Sequence, residues 1–284
     1  LELINHGSRQ LKNKKIFSHK LDSEILLSKV LNKTREELLI NLNQKIDPTK
    51  INHFNRLISR RSLREPIAYI LEEKEFWSKN FLVNKNTLIP RPETELMVEK
   101  ILKFFEKKKI YILDIGTGTG CILLSLLSEL KTSKGIGIDI SKKAIEIAQL
   151  NSKKHRLNHR TKFFRRSLNE IYQNKFDLIV SNPPYIRKKD IKNLNEDIKK
   201  FEPKLALDGG NDGLDVIKKV IYKSKSILKI NGMLALEIGN EQYKQVSNIL
   251  KKNGFKTKYL VKDYRENIRC ILSILKWEIK LSEK

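Results

Sequence analysis

Apolar residues recur at helical spacing over the first seventy residues of the chain, and no stretch there has the pattern of a strand. The spacing predicts a helix over residues 21–32, with Asp22 or Ser23 as its N-cap. Further helix starts are predicted at Thr34, which opens a capping-box pattern, and at Asp47, which precedes a proline. This region is therefore predicted to be a small all-helical domain that binds or positions a partner, or that merely packs on the larger domain.

Two short strand-like runs, residues 75–77 and 81–83, come next and are separated by a polar turn. They predict a β-hairpin that joins two domains. Residues 89–95 carry two prolines, which are typical of a rigid lead into a helix. The predicted boundaries are residues 1–73 for the helical domain, 74–90 for the hairpin linker and 91–284 for the larger domain.

Beyond residue 110, apolar runs of strand length alternate with helical patterns. Such alternation predicts an α/β fold of the Rossmann-like type, with a doubly wound, mostly parallel sheet and right-handed crossovers. The last two strands are joined by a short loop, so we expect an antiparallel pair and an antiparallel last strand. The seven predicted strands begin near residues 110, 135, 161, 176, 233, 256 and 269.

The first of these strands is followed by a glycine-rich turn and a helical run. Glycines let the backbone turn tightly and let a ligand approach without a Cβ in the way. The spacing is GxGxG rather than the GxGxxG dinucleotide pattern, and no Gly-Lys-Ser/Thr of a phosphate-binding loop follows. The residues of the turn are Gly116, Thr117, Gly118, Thr119 and Gly120.

Asp139 ends the second strand, 19 residues beyond Gly120. An acid about 20 residues past such a turn is typical of a carboxylate that accepts hydrogen bonds from both ribose hydroxyls. The glycine turn and Asp139 together predict a site for a nucleoside-containing cofactor.

The fourth strand ends in a proline-rich loop, Asn182-Pro183-Pro184-Tyr185. Two prolines cannot continue a strand, so the chain leaves the sheet in a stiff extended loop. Ligands bind outside the carboxyl ends of strands in such sheets. The loop is therefore predicted to hold a planar, polar group.

Composition restricts the partners only weakly. The chain has 284 residues and a net charge of +25, which is compatible with a polyanion such as nucleic acid or the ribosome. Lysine is abundant in every part of the chain, so an AT-rich genome explains the charge equally well. Cys121 and Cys270 are too few for a disulfide framework, and we expect buried thiols in a reducing cytoplasm.

No apolar run is long enough for a membrane span, and no secretory signal is predicted. No metal site is predicted either. His155 and His159 are four residues apart but lack an evident third ligand, so we expect a solvated surface pair.

These motifs together resemble the release factor glutamine methyltransferase family, often called HemK or PrmC. The resemblance covers nearly the whole chain, and the helical region and hairpin separate it from methyltransferases that act on DNA. It is carried by residues 64–69, 76–77, 89–95, 114–120, 180–186, 201–203 and 207–214.

The resemblance implies an S-adenosylmethionine-dependent enzyme that methylates N5 of the glutamine in the Gly-Gly-Gln loop of peptide chain release factors. We expect it to be a monomer. The resemblance also implies that the glycine turn lies against the methionine and ribose portion of the cofactor, that Asp139 binds the ribose hydroxyls, and that Glu95 faces the methionine end. The catalytic residues would be Asn182, Pro183, Pro184 and Tyr185, and the cofactor would further contact Ser167 and Asn182.

One position departs from the family pattern. Arg166 stands where family members usually have an acid near the adenine, so adenine binding is expected to depend on backbone groups or on Ser167. Glu202 and Asp208 follow the loop in sequence, and we expect both to stabilise loops rather than to act as bases.

Three alternatives stay open. A glutamine methyltransferase of a large-subunit ribosomal protein would use the same loop. An adenine-N6 methyltransferase of DNA or RNA is favoured by the loop and by the charge, but no separate target-recognition domain is evident. A nucleic-acid-binding or ribosome-binding protein with a vestigial cofactor site is disfavoured, because Asp139 and Asn182 are both intact.

Overall fold

A computed structural model of the chain describes residues 1–42, 45–171 and 175–276, and it separates into two compact units. The helical unit comprises Leu1–Glu73 and Leu194–Phe201, and the sheet unit comprises Lys74–Asn193 and the residues from Glu202 onward. The predicted boundaries place residues 194–201 in the larger domain, whereas their contacts are with the helical unit.

The α-helices of both units follow in chain order. They are α1 (Glu2–Asn13), α2 (His19–Leu31), α3 (Arg35–Ile40), α4 (Pro48–Ser62), α5 (Ile67–Leu71), α6 (Pro92–Phe104), α7 (Cys121–Glu129), α8 (Lys142–Lys154), α9 (Glu196–Phe201), α10 (Asp215–Ile227) and α11 (Tyr243–Lys252). The strands are β1 (Glu73–Phe76), β2 (Lys79–Leu82), β3 (Tyr111–Ile115), β4 (Lys134–Asp139), β5 (Thr161–Arg165), β6 (Phe176–Ser181), β7 (Leu228–Glu237), β8 (Phe255–Lys262) and β9 (Ile268–Leu275).

The helical unit has its own apolar core, in which Leu11, Leu26, Phe54 and Ile58 are fully buried. Helix α1 was not predicted. The predicted capping box at Thr34 is confirmed, since its hydroxyl accepts from the N–H of Glu37 and the Glu37 carboxylate accepts from the N–H of Thr34. Asp47 caps α4 as predicted, by accepting from the N–H of Thr49. These local caps could be predicted because each involves residues two or three positions apart.

The predicted N-cap of α2 is wrong, because the helix begins at His19 and contains both candidates. Asp22 instead accepts from the Arg61 guanidinium at 2.7 Å, and Ser23 donates to the carbonyl of Ile4 at 2.8 Å. Both side chains are buried among helices that lie far apart in sequence. A capping residue and a buried polar contact cannot be separated from sequence here, because the same residue types serve both.

The sheet unit contains a seven-stranded sheet of order β5-β4-β3-β6-β7-β9-β8. The pairs from β5 to β7 are parallel, while β9 is antiparallel to both β7 and β8. The predicted fold class and the antiparallel last strand are therefore confirmed. Helices cover both faces of the sheet, with one apolar cluster on each. Strands β1 and β2 form the predicted hairpin.

The strand order places the change of winding direction between β3 and β6. The chain runs outward from β3 through β4 to β5 and then returns to the other side of β3 as β6. In the parallel register, Ile115 is beside Ile138 on one side and beside Ser181 on the other. The residues that follow these strands therefore meet at one edge, which is the usual place for a ligand in this fold.

None of the described helices combines the length and the apolar character that crossing a bilayer requires.

Candidate active site

The glycine-rich turn after β3 is held by backbone bonds to the neighbouring strand. The N–H groups of Gly116 and Thr117 both donate to the carbonyl of Ile138 at 2.9 Å. Gly116, Gly118 and Gly120 have φ angles of 70°, 54° and 79°, which L-residues with a Cβ rarely adopt.

The three glycines differ in what surrounds them. A Cβ on Gly116 would meet nothing within 4 Å, and one on Gly118 would only reach a carbonyl oxygen at 4.0 Å. A Cβ on Gly120 would meet Leu124 and Phe163 at 3.2 and 3.3 Å. The first two glycines thus border open space where a ligand can approach the backbone, whereas Gly120 allows close packing of α7 against the sheet.

Asp139 lies beside this turn at the end of β4, as expected. One carboxylate oxygen accepts from the N–H of Gly118 at 3.1 Å, and the other accepts from the N–H of Ser141 at 2.9 Å. Burial raises the pKa of the Asp139 carboxyl, while these bonds oppose the shift. The carboxylate thereby has a fixed position next to the open glycines.

Asp114 is a fully buried acid that was not predicted as a site residue. Its Oδ2 accepts from the Thr117 hydroxyl at 2.7 Å, while its Oδ1 has no partner within the described part of the chain. Burial is the main cause that raises its pKa to about 7, and the charge of Asp139 adds to the rise. An acid inside an apolar strand was the sequence signal for this residue.

Asn151 also supports the turn and was missed. It is fully buried in α8, and its amide donates to the carbonyls of Thr119 at 2.9 Å and of Leu82 at 3.0 Å. Its Oδ1 accepts from the N–H of Leu82 at 2.7 Å. One side chain therefore connects the hairpin strand β2 to the glycine turn, a contact that sequence spacing does not reveal.

The Asn-Pro-Pro-Tyr loop leaves β6 next to the end of β7. Ser181 is paired with Leu236 in the parallel register, so Asn182 comes out of the sheet beside Glu237. The hydroxyl of Ser181 donates to the carbonyl of Ile115 at 2.8 Å, which ties the start of the loop to the end of β3. Asn182 and Tyr185 are half-buried and Pro183 is buried.

A chain of side-chain hydrogen bonds runs beneath this loop. The Asn182 amide donates to the Thr94 hydroxyl at 3.4 Å, and that hydroxyl donates to the Glu237 carboxylate at 2.5 Å. The Tyr185 hydroxyl donates to the other Glu237 oxygen at 3.3 Å. Glu237 exposes only 2% of its surface. Thr94 belongs to the segment that supports the family resemblance, but neither it nor Glu237 was predicted as a site residue.

The far side of the loop is held by Gln242 at the start of α11. Its amide nitrogen donates to the carbonyls of Tyr185 at 3.0 Å and of Gly213 at 3.1 Å, and its oxygen accepts from the N–H of Gly239 at 2.8 Å. Gln242 was also missed, because nothing in its local sequence indicates contacts with segments 29 and 57 residues away.

Residues 207–214 run alongside the loop. The N–H of Ile186 donates to Leu207, and the N–H of Gly209 donates back to Ile186 at 2.8 Å. A Cβ on Gly209 would lie 2.8 Å from the Cα of Tyr185, so this approach requires glycine. Asp208 accepts from the N–H of Gly210, which is the predicted loop-stabilising role.

Glu202 likewise stabilises a loop, as predicted. Its buried carboxylate accepts from Arg91 at 2.5 Å and from the N–H of Ile89 at 3.3 Å. Glu95 accepts from the N–H of Trp77 in the hairpin turn at 3.0 Å. The expected contact of Glu95 with the cofactor stays a prediction.

The segment after β5 differs from the rest of the site because its side chains are partly or fully exposed. Ser167 forms a capping box with Glu170, whose carboxylate accepts from the N–H of Ser167 at 2.6 Å. The exposed Arg166 guanidinium lies over the ring of Phe164, 5.1 Å from its centroid. The role of Ser167 in adenine binding stays a prediction.

The prediction that His155 and His159 form a solvated surface pair is wrong for His155. Its ring lies 4.7 Å from the Phe81 ring, and its Nε2 is buried without a partner among the described residues. Burial lowers the pKa of His155. Cys121 and Cys270 are buried and free, as predicted.

Comparison with known proteins identifies the family of the chain. Residues 2–71 match the family model for the PrmC N-terminal domain, and residues 92–211 match the methyltransferase small domain. Among solved structures, a methyltransferase from Pyrococcus furiosus has a TM-score of 0.55 at 17% identity, covering 80% of this chain and 99% of that one. The hMettl16 catalytic domain in complex with the MAT2A 3'UTR hairpin 6 has a TM-score of 0.59 at 16% identity, covering 78% of this chain and 83% of that one. At these identities the structures support the fold alone.

The fold and the methyltransferase domain define the chain as an S-adenosylmethionine-dependent methyltransferase. It is 39% identical to the release factor glutamine methyltransferase of Clostridium acetobutylicum over 89% of this chain and 90% of that protein. It is 42% identical to the protein of the same name from Buchnera aphidicola, with coverage of 89% and 91%. The chain therefore belongs to the release factor glutamine methyltransferase family. A bifunctional methyltransferase of Rickettsia prowazekii is 38% identical over 88% of this chain, which spans about half, 52%, of that protein.

The residues at the edge of the sheet fit this cofactor. Gly116 and Gly118 leave open space against the backbone, and Asp139 holds a carboxylate beside it. Asp114 adds a buried, unpartnered oxygen near the turn, again among the described residues. Backbone N–H groups and carboxylates are the donors and acceptors that a ribose and an amino-acid portion require.

Proposed function

We propose that this chain transfers the methyl group of S-adenosylmethionine to the side-chain amide nitrogen of glutamine in the Gly-Gly-Gln motif of peptide chain release factors. The observation that carries the proposal is the position of Asn182, at the carboxyl end of β6 and next to the glycine turn of β3. The names of the relatives that match over most of the chain support the same substrate.

An amide nitrogen is a poor nucleophile, since its lone pair is delocalised into the carbonyl. The side-chain oxygen of Asn182 and the carbonyl of Pro183 are two acceptors in succession on a stiff loop. They can accept the two N–H bonds of the glutamine amide and direct its nitrogen toward the reacting carbon, which is mainly a positioning effect. When bound, the cofactor supplies an electrophilic methyl group on a sulfonium.

The same acceptors bind more strongly as positive charge develops on the nitrogen, so they favour the transition state over the ground state. Pro184 keeps the loop stiff, and the ring of Tyr185 offers a flat apolar surface for the amide plane. No strong base is needed, because the nitrogen becomes acidic once it has accepted the methyl group. Glu202 and Asp208 are already engaged in loop contacts and are not assigned a proton-transfer role.

We also propose that the helical unit binds the release factor outside the glutamine loop. Three large apolar side chains of this unit, Phe17, Ile40 and Leu63, expose 101%, 80% and 71% of their surface. Such side chains can be covered by a protein partner, since the buried centre of a protein interface is apolar and enriched in aromatic residues. The match of residues 2–71 to the PrmC N-terminal domain supports a role that is specific to this family.

A methyl-transfer assay tests the proposal directly. The chain is incubated with labelled S-adenosylmethionine and, in parallel, with a release factor, the large ribosomal subunit and duplex DNA, and labelled protein is mapped by peptide mass spectrometry. We expect label on the Gly-Gly-Gln glutamine, and a release factor with that glutamine changed to alanine to take none. Label confined to DNA, or to a ribosomal protein, would overturn the proposed substrate.

A further inference from the structure

Glu237 is a buried acid that the proposed chemistry does not use. It ends the apolar strand β7 beside Asn182 and is opposite Cys270 in the antiparallel register. A buried carboxylate is costly unless its oxygens are hydrogen-bonded. Glu237 accepts from the Tyr185 hydroxyl of the Asn-Pro-Pro-Tyr loop and from the Thr94 hydroxyl at the start of α6.

The direction of these bonds determines how the Asn182 amide is oriented. The Thr94 hydroxyl has a single proton, and it donates that proton to Glu237. Its oxygen can then only accept from Asn182, so the group of Asn182 that faces Thr94 must be the NH₂. Glu237 is also only an acceptor when it is ionised, and the Asn182 side chain lowers the pKa of its carboxyl. Both neighbours therefore require the nitrogen, and the Asn182 oxygen must point away from them.

We propose that Glu237 is a positioning residue that, together with Thr94, holds the Asn182 side chain with its nitrogen toward the protein and its oxygen toward the glutamine amide of the substrate. The inference rests on the proposed function for its consequence in catalysis. Its structural content, the fixed orientation of the Asn182 amide, does not depend on the identity of the substrate.

If Glu237 becomes neutral, the orientation is no longer specified. A protonated carboxyl or a glutamine at this position carries a donor of its own. The Thr94 hydroxyl is then free to donate to Asn182, and the flipped amide, with nitrogen toward the substrate, becomes satisfied as well. A flipped Asn182 presents a donor to the N–H bonds of the glutamine amide and cannot orient the nucleophile.

The surroundings of Glu237 bring the protonation of its carboxylate into a pH range in which the enzyme can be assayed. Burial is the main cause that raises the pKa of Glu237 to about 6, and the charge of Glu93 adds to the rise. The side chains of Thr94, Tyr185 and Asn182 oppose it. The thiols of Cys121 and Cys270 face the same region, and burial raises both of their pKa values, so they stay neutral. Activity should therefore fall as pH decreases through about 6.

The experiment compares Glu237→Gln, Thr94→Val and Thr94→Ser with the parent chain. For Glu237→Gln and Thr94→Val we expect kcat to fall about 10–100-fold, because the nucleophile is misplaced, with the KM for release factor and the Kd for S-adenosylmethionine nearly unchanged. Thr94→Ser restores the hydroxyl and should recover the rate lost in Thr94→Val. Asp177→Asn, at the opposite end of β6, is the matched control and should not change kcat. Thermal unfolding of each variant identifies any loss that is due to folding alone.

The pH profile separates positioning from mere packing. At saturating cofactor, the parent chain should lose activity below about pH 6, whereas Glu237→Gln should have a low rate that lacks this acid limb. The Asp114 and Asp139 carboxyls, whose pKa values are also raised, are common to both chains. A folded Glu237→Gln variant with the parent's kcat and acid limb would overturn the inference.

An NMR titration in the absence of substrate tests the role of Glu237 separately from the proposed function. In ¹⁵N-labelled protein, the side-chain NH₂ signals of Asn182, identified by their loss in Asn182→Ala, should titrate with a midpoint near pH 6 and should stop doing so in Glu237→Gln. Failure of the parent chain to methylate any release factor would contradict the proposed function only. Absence of the titration in the parent chain would contradict the positioning role of Glu237, whatever the substrate.

Discussion

The glycine-rich turn after β3 and the Asn-Pro-Pro-Tyr loop after β6 leave neighbouring strands, yet they are held in different ways. The turn takes its shape from glycine φ angles and from backbone bonds to the carbonyl of Ile138. The loop is held by side chains from remote segments, with Thr94 and Glu237 beneath it and Gln242 beside it. A turn encoded by its own residues can be predicted from a short stretch of sequence, whereas a loop held from outside cannot.

The difference also assigns tasks. The open space at Gly116 and Gly118 is where we expect the cofactor, so substitutions in the turn should act mainly on cofactor binding. The loop carries the acceptor atoms of the proposed mechanism, so substitutions there should act on the rate of the chemical step. Measuring S-adenosylmethionine affinity and kcat on the same variants therefore tests whether the two regions are separable.

Asn182→Ala should have the largest effect. Removal of the side-chain acceptor should lower kcat about 10²–10³-fold, the range found when one preorganised polar group is lost from a reacting centre. Cofactor affinity, measured by calorimetry, should stay close to that of the parent chain. Normal turnover by this variant would remove Asn182 from the site, and a large loss of affinity would show that the two regions are not separable.

Features that depend on local residues could be predicted from the sequence, whereas features that depend on remote contacts could not. The hairpin, the glycine turn and the place of Asp139 and Asn182 at the ends of their strands follow from apolar runs, turn residues and motif spacing, whereas the order of the strands in the sheet was not predicted. Gln242 was missed because its partners lie far away in sequence, and the N-cap predicted for α2 was wrong for a related reason, since Asp22 is used by Arg61. Polar residues whose partners come from tertiary contacts carry no local signal.

The buried acids are an intermediate case. Asp114 and Glu237 each interrupt an apolar strand, and that pattern marks a polar group that must find partners inside the protein. The pattern indicates that such residues have a structural or functional role. Only the register of the sheet shows that they lie on either side of the change of winding direction between β3 and β6.

Gln242→Ala should test whether the loop is held from outside. The substitution leaves the carbonyls of Tyr185 and Gly213 and the N–H of Gly239 without their partner, so we expect the free energy of unfolding to fall by about 2–4 kcal/mol. Urea denaturation measures this change. Gln245→Ala, an exposed position one helical turn later in α11, is the control and should change stability little.

In the same variant, kcat should fall further than cofactor affinity, because the backbone of Tyr185 is no longer held in place. Equal stability of Gln242→Ala and the parent chain would mean that the loop holds its own shape and that the contrast with the glycine turn is incorrect.

Asp139→Ala should have the smallest effect of the three and should act on the other region. Loss of the hydrogen bonds from the ribose hydroxyls to a charged acceptor should weaken S-adenosylmethionine binding by about 1.5–3 kcal/mol. Isothermal calorimetry measures the affinity, and Asp177→Ala, which removes the same charge at the start of β6, controls for the change in overall charge. At saturating cofactor, kcat should recover, because the acceptors of the loop are untouched. Unchanged affinity for S-adenosylmethionine would mean that the ribose does not bind to Asp139. A kcat that stays low at saturating cofactor would mean that Asp139 also shapes the reacting centre through its bond to Gly118.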